Sequence, residues 1–227
     1  MLTLLTATGC RPEAFALTER MMMRQTYAGP VRWLIVDDGE EAQPVTFQRE
    51  GWDVEVIRPQ PYWRAGQNTQ ARNLLVGLNH VDSSDRLLII EDDDAYAADW
   101  LETCNEHLDR ANLVGECRAR YYNVPRRIAR QLGNTSHASL CSTAMKGRAI
   151  EAFRRSCQVN PKFIDLHLWR SFRDVVLFEG GRVVGLKGMP GRGGIGMGHR
   201  NDFHGQPDKT GQILTQWLGA EMAGWYL

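Results

Sequence analysis

The sequence predicts an α/β fold with a mostly parallel central sheet and flanking helices. Two observations support this prediction: short apolar runs alternate with helix-forming segments through the first half of the chain, and polar residues follow several of those runs directly. Open sheets of this kind bind ligands outside the carboxyl ends of their strands. We therefore expect the residues that follow the strands to form a site.

Each element has a local signal. Leu2 to Thr8 is an apolar first strand, and Pro12 suits the first turn of a helix rich in Ala, Leu, Met and Glu. The later strands are short apolar runs, and a Pro/Tyr/Trp/Gly loop at 59–66 precedes the second helix. Strands are predicted at 2–8, 31–36, 52–57 and 87–90, and helices at 12–27, at 69–79, from about residue 98, and at 149–157.

Length and composition indicate one globular domain over residues 1–227. The chain is 43% hydrophobic and 24% charged, which disfavours disorder, and no apolar run approaches the roughly 20 residues of a membrane span. The start has no basic leader with a long apolar core. The five cysteines are an odd number without CxxC spacing, so neither a disulfide framework nor a zinc site is indicated. We expect a soluble, unprocessed protein of the reducing cytoplasm.

The net charge of zero conceals an asymmetry between the two halves. Residues 1–110 hold 10 Lys and Arg against 19 Asp and Glu, whereas residues 111–227 hold 17 against 8. Basic and aromatic residues are interleaved in the second half, a mixture that suits phosphate contacts and base stacking. Alternatively, these arginines form a solvated face that pairs with the acidic half. The residues are Arg118, Arg120, Tyr121, Tyr122, Arg126, Arg127 and Arg130.

Four acidic residues, Glu91, Asp92, Asp93 and Asp94, follow the fourth strand directly. Several carboxylates at the lip of a sheet repel one another unless a cation lies among them, and oxygen ligands suit Mg²⁺ or Mn²⁺. Because alternate residues of a strand point to opposite sides, we expect Asp92 and Asp94 on one side and Glu91 and Asp93 on the other. Alternatively, the run stabilises the N-terminus of the next helix.

Asp37 and Asp38 follow the second strand and precede a glycine. A carboxylate there can accept a hydrogen bond from a ribose hydroxyl or a uracil N–H, although Asp-Asp-Gly is also ordinary turn chemistry. Further polar residues at the ends of neighbouring elements are Thr6, Thr8, Arg11, Gln67, Asn68 and Arg72. In this order along the chain, they indicate a site for a nucleotide.

The ordered set resembles the nucleotide-sugar half of GT-A glycosyltransferases of the family 2 type. An Asp-Asp-Gly turn, an Ala-Arg-Asn helix start and a DxD-type acidic motif recur there in this order, and the resemblance covers about residues 1–110. It implies a Rossmann-like nucleotide-sugar half at 1–110, an acceptor half at 111–227, and Mn²⁺ or Mg²⁺ with a UDP-sugar. By this likeness Asp38 holds the nucleoside and Arg72 the base or diphosphate. With Glu91-Asp92-Asp93 as the equivalent of the DxD motif, Asp93 is the expected metal ligand. Glu91 stands in the first position of the motif and Asp94 is an additional acid, so Asp94 is a second candidate ligand.

The second half offers Asp165 as a catalytic base. It starts an amphipathic segment among bulky apolar residues, where its pKa can rise. The segment resembles the family's catalytic-base motif ahead of a Leu-x-x-Arg helix, with Ile164 where an acid often stands. If Asp165 is the base, we expect a single in-line displacement with inversion at the sugar carbon. Alternatively, Asp165 caps a helix.

A glycine-rich segment at 188–205 allows close approach of its backbone to phosphates. His199 is a candidate metal ligand, with His204 as an alternative, and Arg200 is a candidate cation for the leaving diphosphate. A flexible, solvated loop is the other interpretation.

These features predict a metal-dependent glycosyltransferase that acts on an acceptor hydroxyl. The acceptor is predicted to be a hydroxymethylated pyrimidine in DNA, as in hypermodified phage genomes, which would place the protein in the bacterial host cytoplasm. Polysaccharide or protein hydroxyls are the alternative acceptors. Two other functions stay open: a nucleotidyltransferase, which would use two metals and release pyrophosphate, and a non-catalytic nucleic-acid-binding protein, which would leave the acidic cluster unexplained.

Overall fold

The computed structural model describes residues 1–194 and 203–227. Strands and helices alternate through the first half, as the sequence predicts. The strands are β1 (Leu2–Thr8), β2 (Val31–Asp37), β3 (Trp52–Ile57), β4 (Arg86–Ile89), β5 (Asp94–Tyr96), β6 (Leu113–Glu116), β7 (Arg120–Asn123), β8 (Ile128–Gln131), β9 (Thr143–Lys146), β10 (Val175–Phe178), β11 (Val183–Lys187) and β12 (Gln206–Pro207). The helices are α1 (Pro12–Met23), α2 (Gln70–Leu78), α3 (Trp100–Leu108), α4 (Arg148–Val159), α5 (Ile164–Ser171), α6 (Gln212–Leu218) and α7 (Ala220–Ala223).

The main sheet has seven strands in the order β10-β6-β9-β4-β1-β2-β3. Its described pairings are parallel except for those of β9, which runs antiparallel to β4 and β6. The register sets Thr8 beside Asp37 and Leu5 beside Ile89, so β1, β2 and β4 end at the same edge. The predicted α/β fold with a mostly parallel sheet and flanking helices is confirmed.

Alternating side chains of this sheet pack into two hydrophobic cores, one on each face. Trp33 packs on one face with residues of α1 and α3, including a stacked ring contact with Phe15. Leu34 packs on the other face with residues of α2 and α4. Because successive strand residues point to opposite faces, a central strand buried on both sides needs the continuous apolar run that the sequence shows.

A second sheet, in the order β12-β8-β7-β11-β5, lies beside the first. Its strand β5 begins only a few residues after β4 ends, so the acidic residues 91–94 lie where the chain passes from one sheet to the other. Strand β11 pairs antiparallel with β5 and parallel with β7, and it ends at Lys187. The two sheets therefore bring the acidic run close to residues of the second half.

Several predicted boundaries were wrong. The first helix ends at Met23 rather than near residue 27, and the helix expected from about residue 98 begins at Trp100. In the second half, a 3₁₀ turn at Leu140–Ser142 precedes β9. Among the described residues, the longest helices have 12 residues, and none has the length and apolarity that crossing a bilayer requires. The five cysteines, all described, are free thiols.

Candidate functional site

A cavity of about 190 Å³ opens at the carboxyl edge of the main sheet, where β1 and β4 end. Both halves of the chain line it. From the first half it receives Thr8, Arg11, Gln67, Asn68, Glu91, Asp92 and Asp93, and from the second half Tyr121, Ser139, Cys141, Lys162, Asp165, Lys187 and Arg192. The cavity thus lies where we expected a site, beyond the carboxyl ends of the strands.

Arg11 holds two adjacent carboxylates of the acidic run. Its Nη1 lies 2.7 Å from Asp92 Oδ1 and 2.9 Å from Asp93 Oδ2, and the Thr8 hydroxyl donates to Asp92 Oδ2 at 2.6 Å. Burial alone would lower the pKa of Arg11, but the charges of Asp92 and Asp93 outweigh burial and raise it. Burial also raises the pKa of Asp92, against the influence of Arg11. Arg11 therefore stays charged beside Asp92 and Asp93.

Glu91 and Asp94 form a second acidic group, on the side of β11. Asp94 Oδ1 accepts a hydrogen bond from the Leu186 N–H at 2.9 Å and lies 3.8 Å from Lys187 Nζ. Ligand atoms of Glu91, Asp94 and Cys141 lie within 4.8 Å of one another. Burial raises the pKa of Glu91 well above its usual value, and the charges of Asp94 and Asp93 raise it further.

The expected alternation of these four carboxylates was wrong. Asp92 and Asp93 contact the same guanidinium, and Glu91 lies with Asp94. The reason is that β4 ends at Ile89 and the chain turns before β5 starts at Asp94, so the two-residue period of a strand does not apply across the run.

The residues present fit a hard divalent cation. Asp94 Oδ2 is buried and accepts no hydrogen bond from the described residues, and Arg11 and Lys187 form ion pairs with residues of the run. Buried carboxylates of like charge are costly without further positive charge, and carboxylate oxygens are the ligands that Mg²⁺ and Mn²⁺ prefer. Of the predicted metal ligands, Asp93 lines the cavity, Asp94 is buried and does not line it, and His199 lies outside the described residues.

Asp38 lies next to the cavity and is fully buried. Thr69 Oγ1 and Arg72 donate to its Oδ2, the latter at 3.0 Å, and Arg192 Nη1 lies 2.8 Å from its Oδ1. Arg72 also donates to the Pro61 carbonyl at 2.7 Å. The structure thus brings together Asp38 and Arg72, which the sequence placed in one nucleotide site.

Two of the predicted donor-binding residues have other contacts. Both oxygens of Asp37 accept backbone N–H groups of the following loop, from Gly39 at 2.9 Å and Gln43 at 2.7 Å, which is the turn chemistry left open as the alternative. Thr6 is buried, and its hydroxyl accepts a hydrogen bond from Trp33 Nε1 at 2.9 Å. Neither residue lines the cavity.

Asp165 lies in the first turn of α5 and faces the cavity from the second half. Its Oδ1 accepts the Leu166 N–H at 2.8 Å. Burial raises the pKa of Asp165, opposed by this N–H and by the charge of His137. A carboxyl with a raised pKa in a cavity is suited to accept a proton.

The arginines predicted to bind an acceptor contact other parts of the protein. Arg118 pairs with Glu179 at 2.7 Å, and Arg120 lies over the Trp217 ring. The guanidinium of Arg126 donates to the Phe203 carbonyl, and that of Arg127 donates to the carbonyls of Lys209 and Leu227. Among the five predicted acceptor residues, only Tyr121 lines the cavity, and burial raises its pKa.

Sequence reasoning missed three residues at the site, Lys187, Arg192 and Trp63. Lys187 ends a buried apolar strand, so the rule that polar residues follow strands could have found it. Arg192 lies in the glycine-rich segment that the sequence pointed to, whereas Arg200 of that segment falls outside the described residues and His204 is exposed. Trp63 lies in the loop before α2, where the sequence predicted a loop but no site residue.

No protein-family model matches the chain, and no curated protein sequence matches it either. Solved structures do match: the glycosyltransferase GlyE of Streptococcus pneumoniae TIGR4 superposes with a TM-score of 0.58 at 7% identity, over 99% of this chain and 62% of GlyE. The chain shares the fold of this glycosyltransferase.

S. aureus TarS has the same fold. Its 1–349 fragment in complex with UDP matches with a TM-score of 0.58 at 10% identity, over 82% of this chain and 60% of the fragment. The fragment in complex with UDP-GlcNAc matches with a TM-score of 0.56 at 11% identity, over 82% of this chain and 59% of that one. The chain therefore spans about three fifths of the length of these structures, and 36% of the longer TarS structure.

Proposed function

We propose that this chain is a glycosyltransferase that moves a sugar from a nucleoside diphosphate sugar to an acceptor hydroxyl. The observation that carries the proposal is that three residues of the acidic run, Glu91, Asp92 and Asp93, line one cavity together with Asp165 of the second half, at the carboxyl edge of the sheet. A transferase needs charge stabilisation for a leaving diphosphate and a base for an acceptor in one place, and this cavity combines the two.

A uridine diphosphate sugar is the donor we propose. TarS, which shares the fold, has been solved with UDP and with UDP-GlcNAc. In this chain Asp38 and Arg72 would recognise the nucleoside and Arg11 would face the diphosphate, with Thr8, Gln67, Asn68 and Asp92 around them. Arg11 is suited to this role because its planar fork of N–H donors matches phosphate oxygens.

Mn²⁺ or Mg²⁺ would be held by Asp93 and Asp94, with His199 as a further predicted ligand and Arg200 as a further predicted cation. When bound, the ion supplies positive charge for the leaving diphosphate. Arg11 supplies a fixed positive charge on one side of the carboxylates, and Lys187 supplies another on the side of Asp94.

Asp165 would accept the proton of the acceptor hydroxyl as that oxygen attacks the sugar carbon. The oxygen–carbon bond forms as the bond from the sugar carbon to the diphosphate oxygen breaks, and the diphosphate leaves with the electron pair. A single in-line displacement of this kind inverts the configuration at the sugar carbon. Ser139 and Tyr121 share a hydrogen bond of 2.6 Å at the same cavity and would limit where the acceptor can lie.

Donor binding and turnover test the function directly. We expect UDP to bind the purified protein in the presence of Mn²⁺, and UDP to be released from at least one of UDP-glucose, UDP-galactose and UDP-GlcNAc, as measured by calorimetry and a coupled UDP assay. EDTA should abolish the release. Absence of UDP binding with and without Mn²⁺ would refute the proposal, and release of pyrophosphate from a nucleoside triphosphate would favour a nucleotidyltransferase.

For the acceptor we propose a hydroxymethylated pyrimidine in DNA. The support is the excess of basic residues in the second half, together with the exposure of Arg118 and Arg126. Polysaccharide or protein hydroxyls are the alternative. The contacts of Arg118, Arg120, Arg126 and Arg127 within the protein favour that alternative, because a guanidinium held by the protein has fewer N–H groups left for a phosphate.

Salt dependence separates these acceptors. If the exposed arginines follow a phosphate backbone, affinity for duplex DNA should fall with salt with a log–log slope of about −0.9 per phosphate neutralised. Replacing Arg118 and Arg126 together with alanine should weaken binding to DNA of any sequence and flatten that slope. Arg24→Ala is the control, because Arg24 is also exposed and paired with an exposed glutamate. DNA binding that is absent or insensitive to salt would point to a neutral acceptor.

A further inference from the structure

The side chain of Arg192 fills the space beside Asp38. Its Nη1 lies 2.8 Å from Asp38 Oδ1, and its Nη2 donates to Thr69 Oγ1 at 2.7 Å. Its guanidinium carbon lies 4.8 Å from the centre of the Trp63 ring, in a cation–π contact. Asp38 is fully buried under these contacts and does not line the open cavity.

The backbone around Arg192 is held against the turn that follows β1. The Arg192 N–H donates to the Cys10 carbonyl at 3.1 Å, and Arg11 Nε donates to the Arg192 carbonyl at 2.6 Å. Gly191 adopts a positive φ of 92°, and a Cβ at this position would collide with the Cys10 carbonyl. This approach therefore requires a glycine, and it fixes where the Arg192 side chain enters the site.

Trp63 and Asp38 together make a binding surface for a flat group with N–H donors. The Trp63 ring is fixed in place because its backbone N–H donates to the Asp38 carbonyl at 2.7 Å and its Nε1 donates to the Gln67 carbonyl at 3.0 Å. A guanidinium is planar, carries N–H groups and stacks on aromatic rings. The uracil base has the same three properties, since its N3–H can donate to a carboxylate and its face can stack.

We propose that Trp63 and Asp38 form the nucleobase subsite, and that Arg192 occupies this subsite until a nucleotide displaces it. The inference rests on the proposed function, because that function supplies the uridine nucleotide. Arg192 is then a competing internal ligand. The apparent affinity for nucleotide then equals the affinity of the open subsite multiplied by the fraction of molecules in which the subsite is open.

Arg192 could instead bind the donor, and the two roles predict opposite changes in nucleotide affinity when Arg192 is removed. If Arg192 binds the diphosphate of the donor, its removal weakens nucleotide binding, because a charge-assisted contact is lost. If Arg192 competes with the base, its removal strengthens binding. Uridine is the sharper probe, since it carries the base and ribose but no phosphate for an arginine to contact.

The experiment is a calorimetric titration of the full chain with UDP plus Mn²⁺, and separately with uridine. We expect Arg192→Ala to bind both ligands more tightly, by about 10-fold, because two charge-assisted hydrogen bonds and a cation–π contact no longer hold the subsite closed. Arg192→Gln, which is shorter and uncharged, should act in the same direction. The matched control is Arg20→Ala, because Arg20 lies over the Trp225 ring at 4.0 Å, outside the cavity, and its removal should leave both affinities unchanged.

Trp63 provides the second arm. Trp63→Ala should weaken uridine binding by about 10-fold, the scale of one base–aromatic stacking contact, whereas Trp63→Phe should keep most of the affinity. Unchanged or weaker binding in both Arg192 variants would overturn the competition while leaving the transferase proposal intact. Absence of UDP binding in the wild-type protein and in all variants would overturn the proposed function, and this inference with it.

Discussion

Asp93→Ala is expected to abolish sugar transfer and manganese-dependent binding of UDP, with the protein still folded. We expect a loss of at least about 100-fold in turnover, the scale on which removal of one electrostatic contact to the leaving group acts. The fold should survive because Arg11, which loses Asp93, keeps its contacts with Asp92 at 2.7 Å and with the Arg192 carbonyl at 2.6 Å.

Calorimetry with UDP in the presence and absence of Mn²⁺ checks this prediction. Asp53→Ala is the control, since Asp53 is an exposed acid on β3 at the far edge of the same sheet. A thermal melt close to that of the wild type shows that Asp93→Ala is folded. If the variant binds UDP with the same dependence on Mn²⁺ as the wild type, Asp93 is not a ligand and the ion must be held by other residues of the run.

The sheet and the edge that carries the cavity were predictable because their signals are local. A strand buried on both faces is a continuous apolar run, and its last residue can be read from the polar residue that follows. This reasoning predicted β1, β2 and β3 closely and placed Thr8 and the acidic run at one edge. The second half gave weaker signals because strands such as β6, β7 and β8 have only four residues each.

The partners of the site residues could not be predicted, because they are distant in sequence. Arg192 meets Asp38 across 154 positions, and Arg11 meets the Arg192 carbonyl across 181. Composition marked the segment around Arg192 as rich in glycine, but only the fold shows which carboxylate its arginine meets. In the same way, clustered arginines in the second half suggested a phosphate surface, whereas Arg118 pairs with Glu179 on the segment after β10.

The second large effect is expected at Asp165. Asp165→Asn should lower kcat by about 10²–10⁴-fold, the usual contribution of a general base, and leave UDP binding unchanged. Asparagine keeps the side-chain oxygen that can accept the Leu166 N–H, so the start of α5 should stay intact. The control is Glu151→Gln, because Glu151 is an exposed acid in the first turn of the neighbouring helix α4.

The pH profile distinguishes a base from a helix-stabilising acid. Burial raises the pKa of Asp165, and the charge of His137 opposes the rise. A base must be deprotonated to act, so kcat/KM of the wild type should increase with pH through a pKa above the usual aspartate range. Asp165→Asn should lose the acidic limb as well as the rate. If the variant turns over at a near-normal rate with the limb unchanged, Asp165 serves only the start of α5, and the acceptor must be activated by another group at the cavity.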